Sequence, residues 1–573
     1  MLFCGWLDNE PELAAELKVA PGDPARTYGA AVDRWGDAAE NRAIGEYCSI
    51  IAEPGEGVLR LSRSPWTAPP LHYFRDDRRA AVATVLRVLH ACGLPRVLNQ
   101  RKFADSLYFN LTETEGWYEG CHEVKPGSLV WLSRDGIRID QWYDHLALRE
   151  PIRLGRAEDY VAAVDGLLGD VIGRTLRHAR KPCTQLSGGL DSSNVTARVL
   201  RAMAPDARLD SFTFLPHPDW DDADLPPNFF KREKTKVEAF AAMHPRLNSH
   251  FSENADADFD DLTEQMFKVM DFAPVSLPNL APLNSLFAGA RDHGCDLMIG
   301  AGHGNHNFSS AGDWGFCEYL LEGRWIQLYR ALKNVRGRTC GLPRALFSFS
   351  IKPLLPARVQ WMIANRHGTA DTREDLALTP LRREWREAHD MDARQRRTHY
   401  YEEVASRRSR KLVMADMFAR GEMNGGDINL AFEQIYGVRF RDVTAYRPLM
   451  EFCLAAPTDV FLRDGQERWL ARELGKGLLP DTVRLERNFG QPLADWHLRL
   501  SRKLPKIRAE IDAAERDPML AEMIDFAALR KRIDAFPDRA GFDYRTLIQY
   551  PMGLPRAVMA ARFARFVSGR NAG

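Results

Sequence analysis

Apolar residues recur at intervals of three and four between residues 158 and 176, in the stretch EDYVAAVDGLLGDVIGRTL. This spacing places Tyr160, Val164, Leu168 and Val171 together on one side of a helix. The pattern then changes. Residues 181–189, KPCTQLSGG, predict a short strand that enters a glycine loop, and residues 192–203 predict the helix that follows.

Strands and helices continue to alternate after this loop. Further strands are predicted at 209–216, 247–252 and 295–300, with helical segments between them. This order is typical of an α/β fold in which a parallel sheet has helices on both faces. Beyond residue 315 the chain is mostly helical and rich in arginine, as in RREWREAHDMDARQRR, which predicts a helical C-terminal extension.

Residues 28–143 have a different pattern, in which glycine, proline and aspartate interrupt short β-like runs. Antiparallel strands are predicted at 46–55, 57–66 and 128–144, and one helix is predicted over residues 78–93. This part therefore has the pattern of an α+β domain. We expect one domain at residues 1–150 and a second at residues 151–573.

The composition excludes several classes of protein. The chain has 573 residues with 78 basic and 78 acidic side chains, whereas a nucleic-acid-binding protein normally has a basic excess. No apolar stretch approaches the length of a membrane-spanning helix, and the N-terminus lacks the pattern of a signal peptide. The nine cysteines include no C-x-x-C pair, so neither a zinc site nor a disulfide framework is indicated. We expect a cytoplasmic protein with no nucleic-acid partner and no membrane span.

The stretch SGGLDSS, residues 187–193, directly follows the first strand predicted for the parallel sheet. Glycines let a phosphate approach the backbone closely, and N–H groups at a helix start favour an anion. The residues that fit such a cradle are Ser187, Gly188, Gly189, Ser192 and Ser193. Asp191 can hold a divalent cation that bridges the phosphates. A serine-capped turn is the structural alternative, and the loop does not have the form G-x-x-x-x-G-K-S/T.

This motif resembles the pyrophosphate-binding loop of the ATP pyrophosphatases, in the branch that contains asparagine synthetase B and β-lactam synthetase. Those enzymes adenylate a carboxylate, release pyrophosphate and let an amine displace AMP, which implies ATP and Mg²⁺ here. The resemblance extends to SFTFLP, LMIGAGHGNHNFSSAG, GVRFRDVTAYRPLMEFCLAAP and LLPDTVRLERNFGQPLADW, and it implies an adenine-nucleotide alpha-hydrolase-like domain. The nucleotide-binding residues that it implies are Leu186, Ser187, Gly188, Gly189, Asp191, Ser192, Ser193, Phe214, Ile299 and Gly300, and the implied metal ligands are Asp191 and Asn305.

The second nucleotide loop departs from asparagine synthetase. Where that enzyme has G-E-G-S-D-E, this chain reads GAGHGN over residues 300–305. Ala301 thus replaces the acidic residue tied to ammonia chemistry, and Gly304 stands in place of the second metal-binding aspartate. The stretches GHGNHNFS, RDVTAYR and GQPLADW are similar to motifs of the lasso-peptide macrolactam cyclases, although Tyr446 stands where that group usually has aspartate.

Arginines are the candidate catalytic cations. Arg484 and Arg487 lie in the segment where the resemblance implies a lysine that stabilises the departing pyrophosphate or AMP, and a guanidinium is a good clamp for phosphoryl oxygens. A solvated arginine is the structural alternative for both. Arg441 and Asp442 are expected to form a buried pair that supports the site.

Two histidines of the second loop form the pattern H-x-x-H. His303 and His306 have the spacing of a zinc site, but no third ligand is evident nearby. We therefore expect them to form hydrogen bonds within the loop.

Residues 28–143 resemble the Ntn-hydrolase-type glutaminase domain with which asparagine synthetase begins, notably in SRSPW and VKPGSLVWL. The nucleophile of such a domain is an N-terminal cysteine that uses its own α-amine as the base. Here Leu2 and Phe3 precede Cys4. We expect a degenerate glutamine amidotransferase-like domain without glutaminase activity, in which Cys4 is structural.

These patterns predict an ATP-dependent, AMP-forming carbon–nitrogen ligase of the lasso-peptide cyclase type. It would adenylate an Asp or Glu side chain of a ribosomal precursor peptide and close a macrolactam with the N-terminal amine of that peptide. A leader peptidase and a leader-binding protein are the expected partners. The alternatives are an intermolecular amide ligase that uses ammonia or a small amine, and a precursor-binding chaperone without activity, against which the intact SGGLDSS motif argues.

Overall fold

The structure of the chain is a computed structural model. The residues that it describes are 1–107, 115–145, 147, 150–227, 229, 233–253, 255, 257–258, 260–273, 280–312, 314–335, 340–365, 379–396, 408–419, 425–488, 490 and 494–569. Among these, no helix is long and apolar enough to cross a membrane.

Strands are numbered in chain order. They are β1 (Leu2–Gly5), β2 (Tyr47–Glu53), β3 (Val58–Arg63), β4 (His72–Arg75), β5 (Ala80–Ala83), β6 (Cys121–Glu123), β7 (Ser128–Leu132), β8 (Ile137–Gln141), β9 (Pro182–Gln185), β10 (Leu209–Phe214), β11 (Leu247–Ser252), β12 (Leu297–Gly300) and β13 (Arg439–Asp442).

Helices are numbered in the same way. Those before residue 325 are α1 (Glu10–Leu17), α2 (Pro24–Trp35), α3 (Ala39–Arg42), α4 (Leu86–Ala91), α5 (Gln100–Leu107), α6 (Ala157–Leu176), α7 (Leu190–Ala202), α8 (Glu233–Met243), α9 (Thr263–Met270), α10 (Leu280–Asp292) and α11 (Gly315–Leu321). The later ones are α12 (Trp325–Asn334), α13 (Leu342–Leu346), α14 (Ala357–Asn365), α15 (Arg383–Ala388), α16 (Met391–Arg396), α17 (Arg410–Ala419), α18 (Gly426–Tyr436), α19 (Arg447–Ala455), α20 (Trp469–Leu474), α21 (Asp481–Arg484), α22 (Trp496–Ser501), α23 (Leu504–Ala514), α24 (Pro518–Met523), α25 (Phe526–Asp534), α26 (Tyr544–Leu547) and α27 (Leu554–Val567).

The N-terminal part contains two antiparallel sheets. One has the strand order β1-β2-β3-β7-β8, and the other has the order β5-β4-β6. The strands predicted at 46–55, 57–66 and 128–144 are all present. The helix predicted over residues 78–93 is wrong in its first half, because Ala80–Ala83 pairs with His72–Arg75 as a strand. The alanines of this stretch favour a helix locally, but pairing across the sheet decides its structure.

The second part is built on one parallel sheet, as predicted. Its strand order is β11-β10-β9-β12-β13, and each neighbouring pair is parallel. The strands predicted at 209–216, 247–252 and 295–300 correspond to β10, β11 and β12. The α/β fold class is therefore confirmed. The edge strand β13 was not predicted, because helical structure was expected in this part of the chain. The helix found there begins after the strand, at Arg447.

Hydrophobic cores cover both faces of the parallel sheet. Successive residues of a strand point to opposite faces. On β12, Leu297 and Ile299 accordingly pack in one core with α6 and α7, whereas Met298 packs in the other with α10 and the C-terminal helices. The predicted helix over 158–176 is confirmed as α6, and its first turn is held by the Asp159 carboxylate, which accepts a hydrogen bond from the backbone N–H of Arg156 at 2.9 Å.

Candidate functional site

Two loops meet at the centre of the parallel sheet. Residues 186–189 follow β9 and residues 301–306 follow β12, and these two strands are neighbours. After β9 the chain continues to β10 and β11 on one side of the sheet, whereas β12 and β13 lie on the other. Open α/β sheets bind ligands in the crevice where the strand order reverses in this way. The predicted nucleotide loop thus lies at the point that the topology favours.

Ser192 organises the loop between β9 and α7. Its Oγ accepts a hydrogen bond from the Ser187 N–H at 3.1 Å and donates one to the Ser187 carbonyl oxygen at 3.1 Å. Gly188 leaves no room for a side chain, because a Cβ there would lie 3.0 Å from the Cβ of Lys236. A tight glycine loop that leads into the N-terminus of a helix favours a phosphate group.

A cavity of about 520 Å³ opens between the two loops. This volume falls within the range of about 300–1,000 Å³ that is common for small-molecule sites. Residues 187–192 form one wall, Ala301, Gly302 and Asn305 form the second, and Arg468, Arg472 and Glu486 border the third. The predicted residues Ser187, Gly188, Gly189, Asp191 and Ser192 therefore share one cavity with the second predicted loop, whereas Ser193 does not border it.

Asp191 lies in the first turn of α7 and borders this cavity. Its Oδ1 is buried and has no hydrogen-bond partner among the described residues. Burial raises the pKa of Asp191, and the positive charge of Arg468 opposes that shift. An unpartnered carboxylate oxygen at a phosphate-sized cavity is the kind of ligand that Mg²⁺ takes, so the residue fits the metal role predicted for it.

Gly304 packs directly against Asp191. A Cβ at Gly304 would lie 2.8 Å from the Cβ of Asp191 and 2.9 Å from its Cγ. The second predicted metal ligand, Asn305, borders the cavity, but its Oδ1 accepts a hydrogen bond from Arg468 Nη2 at 2.6 Å. A metal ion at Asn305 would have to break that bond with Arg468.

His303 anchors the second loop to β13. Its backbone N–H and its Nδ1 lie 2.8 and 2.7 Å from Asp442 Oδ2. Burial opposes ionisation of Asp442, but hydrogen bonds from His303 and Thr444 hold its pKa below the ordinary value. The expected pair of Arg441 with Asp442 is wrong, because neighbouring strand residues point to opposite faces and Arg441 instead binds Asp8.

The H-x-x-H pattern forms no metal centre in the part of the chain that the structure describes. No group of three His, Cys, Asp or Glu side chains is placed there to hold a metal ion. His303 forms the expected hydrogen bonds, although with Asp442 of β13, whereas Nδ1 of His306 is buried and has no hydrogen-bond partner among the described residues. Burial lowers the pKa of His306 to about 4, so this ring is neutral near pH 7.

The third wall of the cavity is held in place by two cationic side chains that form hydrogen bonds within the protein. Arg472 donates to the carbonyl oxygens of Glu467, Arg484 and Glu486 at 3.0, 2.6 and 2.9 Å. Lys236 Nζ donates to Glu486 Oε2 at 2.5 Å. These contacts fix the position of residues 484–486 beside the cavity. Burial opposes ionisation of the Glu486 carboxyl, but hydrogen bonds from Lys236 and from the backbone N–H groups of Asn488 and Arg487 hold its pKa below the ordinary value.

The two arginines predicted to be catalytic lie next to this wall but not on it. Arg484 Nε donates to Asp481 Oδ1 at 2.9 Å. Arg487 is exposed, and its backbone N–H donates to Glu486 Oε1 at 2.8 Å. Neither side chain is among the described residues that border the cavity. Their catalytic role stays a prediction, and part of the neighbouring segment GQPLADW, residues 491–493, lies outside the described residues.

Several other predicted nucleotide-binding residues are not among the described residues that border the cavity. Leu186 and Ile299 are buried in the hydrophobic core, and Ser193 is buried at the start of α7. Gly300 is needed for packing, since a Cβ there would lie 2.4 Å from the ring of Phe440. Phe214 ends β10, and its ring centre lies 5.5 Å from the guanidinium carbon of Arg499.

Four charged residues of the cavity were missed by the sequence reasoning, namely Glu233, Arg468, Arg472 and Glu486. Glu233 begins α8 and borders the cavity, and burial raises its pKa to about 7, against the effect of Lys236. Arg468 lies just before α20. The spacing of Arg468 and Arg472 in QERWLARELG places both on one helical face, which was the available signal.

Cys4 lies in β1 directly opposite Cys48 of β2. A hydrogen bond from the Cys48 thiol lowers the pKa of Cys4, although burial opposes the shift. Both cysteines are free, and Cys4 borders a separate cavity of about 700 Å³ together with Trp6, Glu46 and Glu433. The structural role expected for Cys4 stays a prediction.

Comparisons with known proteins bear on the second part of the chain. The asparagine synthase family model matches residues 163–553. The chain is similar to the glutamine-hydrolyzing asparagine synthetase 3 of Bacillus subtilis (strain 168), with 22% identity over 205 residues, which are 34% of this chain and 33% of that protein. The match thus spans about a third of that relative's length.

Solved structures are matched more weakly. The glutamine phosphoribosylpyrophosphate amidotransferase from B. subtilis, complexed with ADP and GMP, shares 14% identity at a TM-score of 0.19, covering 41% of this chain and 49% of its own. A structure described as the allosteric regulatory enzyme of purine biosynthesis has the same identity and TM-score, over 41% of this chain and 48% of its own. A TM-score of this size carries no argument about the fold.

Proposed function

Since the chain belongs to the asparagine synthase family, we propose that it is an ATP-dependent lasso-peptide cyclase. In this proposal it adenylates an Asp or Glu side-chain carboxylate of a ribosomal precursor peptide and releases pyrophosphate. The N-terminal amine of the same peptide then attacks the acyl carbon, AMP leaves, and a macrolactam is closed.

One observation carries the nucleotide part of the proposal. The glycine-serine loop 187–192 borders a cavity at the switch point of a parallel sheet, and so does Asp191, whose buried Oδ1 has no hydrogen-bond partner among the described residues. A structural turn needs no such cavity and no unpartnered acid. The arrangement supports binding of a triphosphate with its Mg²⁺, which would neutralise phosphate charge as the bond to the α-phosphate breaks.

The residues of the chain have distinct tasks in this proposal. Gly188 lets the loop pack closely against Lys236 of α8, and Ser192 keeps the loop in shape through its bonds to Ser187. Asp191 holds the metal ion. Asp442 and His303 keep the second loop against the cavity, so that the acyl group and the phosphates are positioned before reaction.

Ala301 supports an amine that belongs to the peptide. It borders the cavity with a methyl group, at the position where the resemblance implies an acid that handles ammonia. An amine on the substrate itself has a high effective concentration, which can lower a barrier by about 7–11 kcal/mol in well-oriented cases. The protein then needs to hold the folded peptide and exclude water from the acyl-adenylate.

The N-terminal part has a supporting task in the proposal. We assign it the role of a degenerate glutaminase-like scaffold, and a leader peptidase and a leader-binding protein supply the peptide with a free amine. Cys4→Ala should therefore leave ring closure unchanged. Loss of ring closure in a folded Cys4→Ala variant would contradict the scaffold role.

The test uses the full chain with ATP, Mg²⁺ and a synthetic core peptide that carries a free N-terminal amine and a single Asp or Glu. The sequence of the peptide is taken from a short reading frame beside the gene. Mass spectrometry should show a peptide lighter by one water, with one AMP formed for each ring. The same peptide with Asn or Gln in place of the acid should stay linear.

Other outcomes identify the alternatives. A linear peptide that gains nitrogen from labelled ammonium would indicate an intermolecular amide ligase. Tight peptide binding without any nucleotide turnover would indicate a chaperone. An N-terminally acetylated peptide is the matched control, because it retains the carboxylate but lacks the attacking amine, and it should not be cyclised.

A further inference from the structure

Large apolar side chains are exposed around helix α12. Leu321, the last residue of α11, is 69% exposed, and Trp325, Ile326 and Tyr329 of α12 are 61%, 65% and 54% exposed. Residues three and four positions apart lie on the same face of a helix, so Tyr329 is a neighbour of both Trp325 and Ile326. We call Leu321, Trp325, Ile326 and Tyr329 the α12 patch. Single exposed apolar residues are common on proteins, but a group of this kind indicates a surface that binds a partner.

The opposite side of α12 is already packed in a hydrophobic core. Leu328, Ala331 and Leu332 are buried there, in a small cluster with residues of α11 and α13. A surface helix normally has one apolar stripe that faces the core and polar residues on its other side. Because α12 has this stripe as well as the α12 patch, the packing of the described residues does not account for the patch.

The patch lies in a stretch of the chain with an excess of positive charge. Residues 323–370 contain nine lysines and arginines and no aspartate or glutamate, although the whole chain has equal numbers of basic and acidic side chains. Lys333 lies one helical turn after Tyr329, and Arg344 is on α13, which packs against α12. Both side chains are exposed and form no ion pair or hydrogen bond within the described residues, so they are available to an anionic partner. The cations of this stretch that do form ion pairs in the described part of the chain are Arg324, with Asp459 and Glu322, and Arg330, with Asp464.

A second copy of this chain is a poor match for the patch. In a two-fold dimer the same surface of both copies meets, so Lys333 and Arg344 of one copy would be brought close to those of the other. Like charges that meet in an interface lower the affinity. The charge of the stretch therefore favours an anionic partner over a second copy.

The side chains of the patch are of the types that bind a lipid surface. Tryptophan and tyrosine are enriched where a membrane meets water, since their rings are apolar and carry one polar group. Leucine and isoleucine are buried readily at the boundary of the acyl chains, and nearby lysines and arginines are attracted to anionic headgroups. An acidic protein would match the charge, but it would need a pocket shaped for four protruding side chains. A fluid lipid surface accepts them without one.

We propose that the α12 patch binds the surface of a membrane that contains anionic phospholipids. Trp325 and Ile326 insert among the lipids, and Lys333 and Arg344 contact the phosphate groups. Binding of this kind holds the chain at a membrane surface. The inference does not depend on the proposed function, because none of these four residues is among those that border the nucleotide cavity.

Vesicle sedimentation tests the proposal with the full chain. Vesicles of phosphatidylcholine and phosphatidylglycerol in equal amounts are compared with vesicles of phosphatidylcholine alone, without nucleotide or peptide. Wild type should sediment with the anionic vesicles, and added salt should release part of it, because salt screens the attraction between the cations and the headgroups. Trp325→Ser with Ile326→Ser should weaken binding by about tenfold or more, since two apolar side chains no longer leave water. Lys333→Gln with Arg344→Gln should also weaken it by about tenfold or more.

Two matched double variants are the controls. Ile137→Ser with Ile139→Ser removes two apolar side chains from the edge strand β8, where they are 42% and 62% exposed. Lys18→Gln with Lys476→Gln removes two exposed cations from other parts of the surface. Both controls should bind the anionic vesicles as wild type does. Circular dichroism checks that every variant is folded, which is expected because the replaced side chains are exposed.

The proposal is wrong if wild type stays in solution with the anionic vesicles, or if the double variant at Trp325 and Ile326 binds them as well as wild type does. A second copy is the partner instead if light scattering shows that wild type is a dimer and that this variant is a monomer. Binding of polyglutamate in place of the vesicles, with the same loss in both patch variants, would assign the patch to an acidic polypeptide. Should one patch variant fold poorly, the other provides the test, and vesicle binding by it at the wild-type level would contradict the proposal.

Discussion

A carboxylate oxygen of Asp8 lies 2.6 Å from Arg441 Nη2, and both side chains are buried. Asp8 lies between β1 and α1, whereas Arg441 is on β13 of the parallel sheet. The next residue, Asp442, holds the second loop of the cavity through His303. The N-terminal part is therefore tied to the strand that supports the candidate site.

Breaking this pair should destabilise the protein strongly. We expect Asp8→Asn to lower the free energy of unfolding by about 3–5 kcal/mol, because the buried guanidinium of Arg441 loses the carboxylate that is hydrogen-bonded to it, while Glu46 Oε1 lies farther away, at 3.6 Å from Arg441 Nε. Urea denaturation followed by circular dichroism measures the change. Glu12→Gln is the matched control, since it breaks another pair between the N-terminal part and α6, with Arg174, but Glu12 is 56% exposed. That change should cost no more than about 1 kcal/mol. Equal losses in both variants would contradict the importance of the buried pair.

Glu46 should make the stability depend on pH. Burial raises its pKa to about 7, against the opposing effect of Arg441. The folded state then holds a proton that the unfolded state releases above its ordinary pKa of about 4.5. The contribution of Glu46 to stability therefore falls as the pH rises between about 4.5 and 7.

Glu46→Gln should remove this dependence. We expect the variant to unfold with nearly the same free energy as wild type at pH 5, and to be more stable at pH 8 by up to about 3 kcal/mol. Urea denaturation at both pH values measures the difference. An equal effect of the substitution at pH 5 and pH 8 would show that Glu46 ionises normally in the folded protein.

Gly304 should tolerate no side chain. A Cβ at position 304 would lie less than 3 Å from the Cβ and the Cγ of Asp191. The substitution Gly304→Ala should therefore displace the carboxylate of Asp191. We expect a folded variant whose rate of AMP formation falls by about two orders of magnitude, as on loss of metal-ion stabilisation. The rate is measured by chromatography of the nucleotides over a range of Mg²⁺ concentrations.

Gly166→Ala is the control for this change, because a Cβ at this helical glycine meets no atom within 4 Å. It should keep full activity and gain slight stability from the better helix former. Full activity in Gly304→Ala would mean that Asp191 does not need its observed position.

The position of the loop between β9 and α7 could be predicted from local sequence, and β13 could not. The loop follows an apolar strand and precedes a helix, so the positions of its glycines and serines alone indicated a phosphate site. The residues of β13, RFRD, have no strand pattern of their own. They form a strand because they pair in register with Leu297–Gly300, the residues of β12.

The other features that could not be predicted depend on contacts between residues far apart in the sequence. Arg441 was assigned to its neighbour Asp442, because nothing in the sequence indicates that Asp8 folds against β13. Arg468 was overlooked for a similar reason. Its partner Asn305 is 163 positions away, and only the fold brings the two loops to one cavity. Arg484 and Arg487 were predicted to be catalytic because of the sequence segment in which they lie. Their side chains are not among the described residues that border the cavity.

The central claim is that ATP is cleaved to AMP and pyrophosphate in the cavity beside Asp191. Phosphorus-31 NMR of the complete reaction, with wild type and Asp191→Asn compared at equal concentration, tests it most directly. Wild type should form AMP and pyrophosphate in equal amounts, and folded Asp191→Asn should form neither at a measurable rate. ADP and phosphate from wild type, or AMP at the wild-type rate from Asp191→Asn, would contradict the claim.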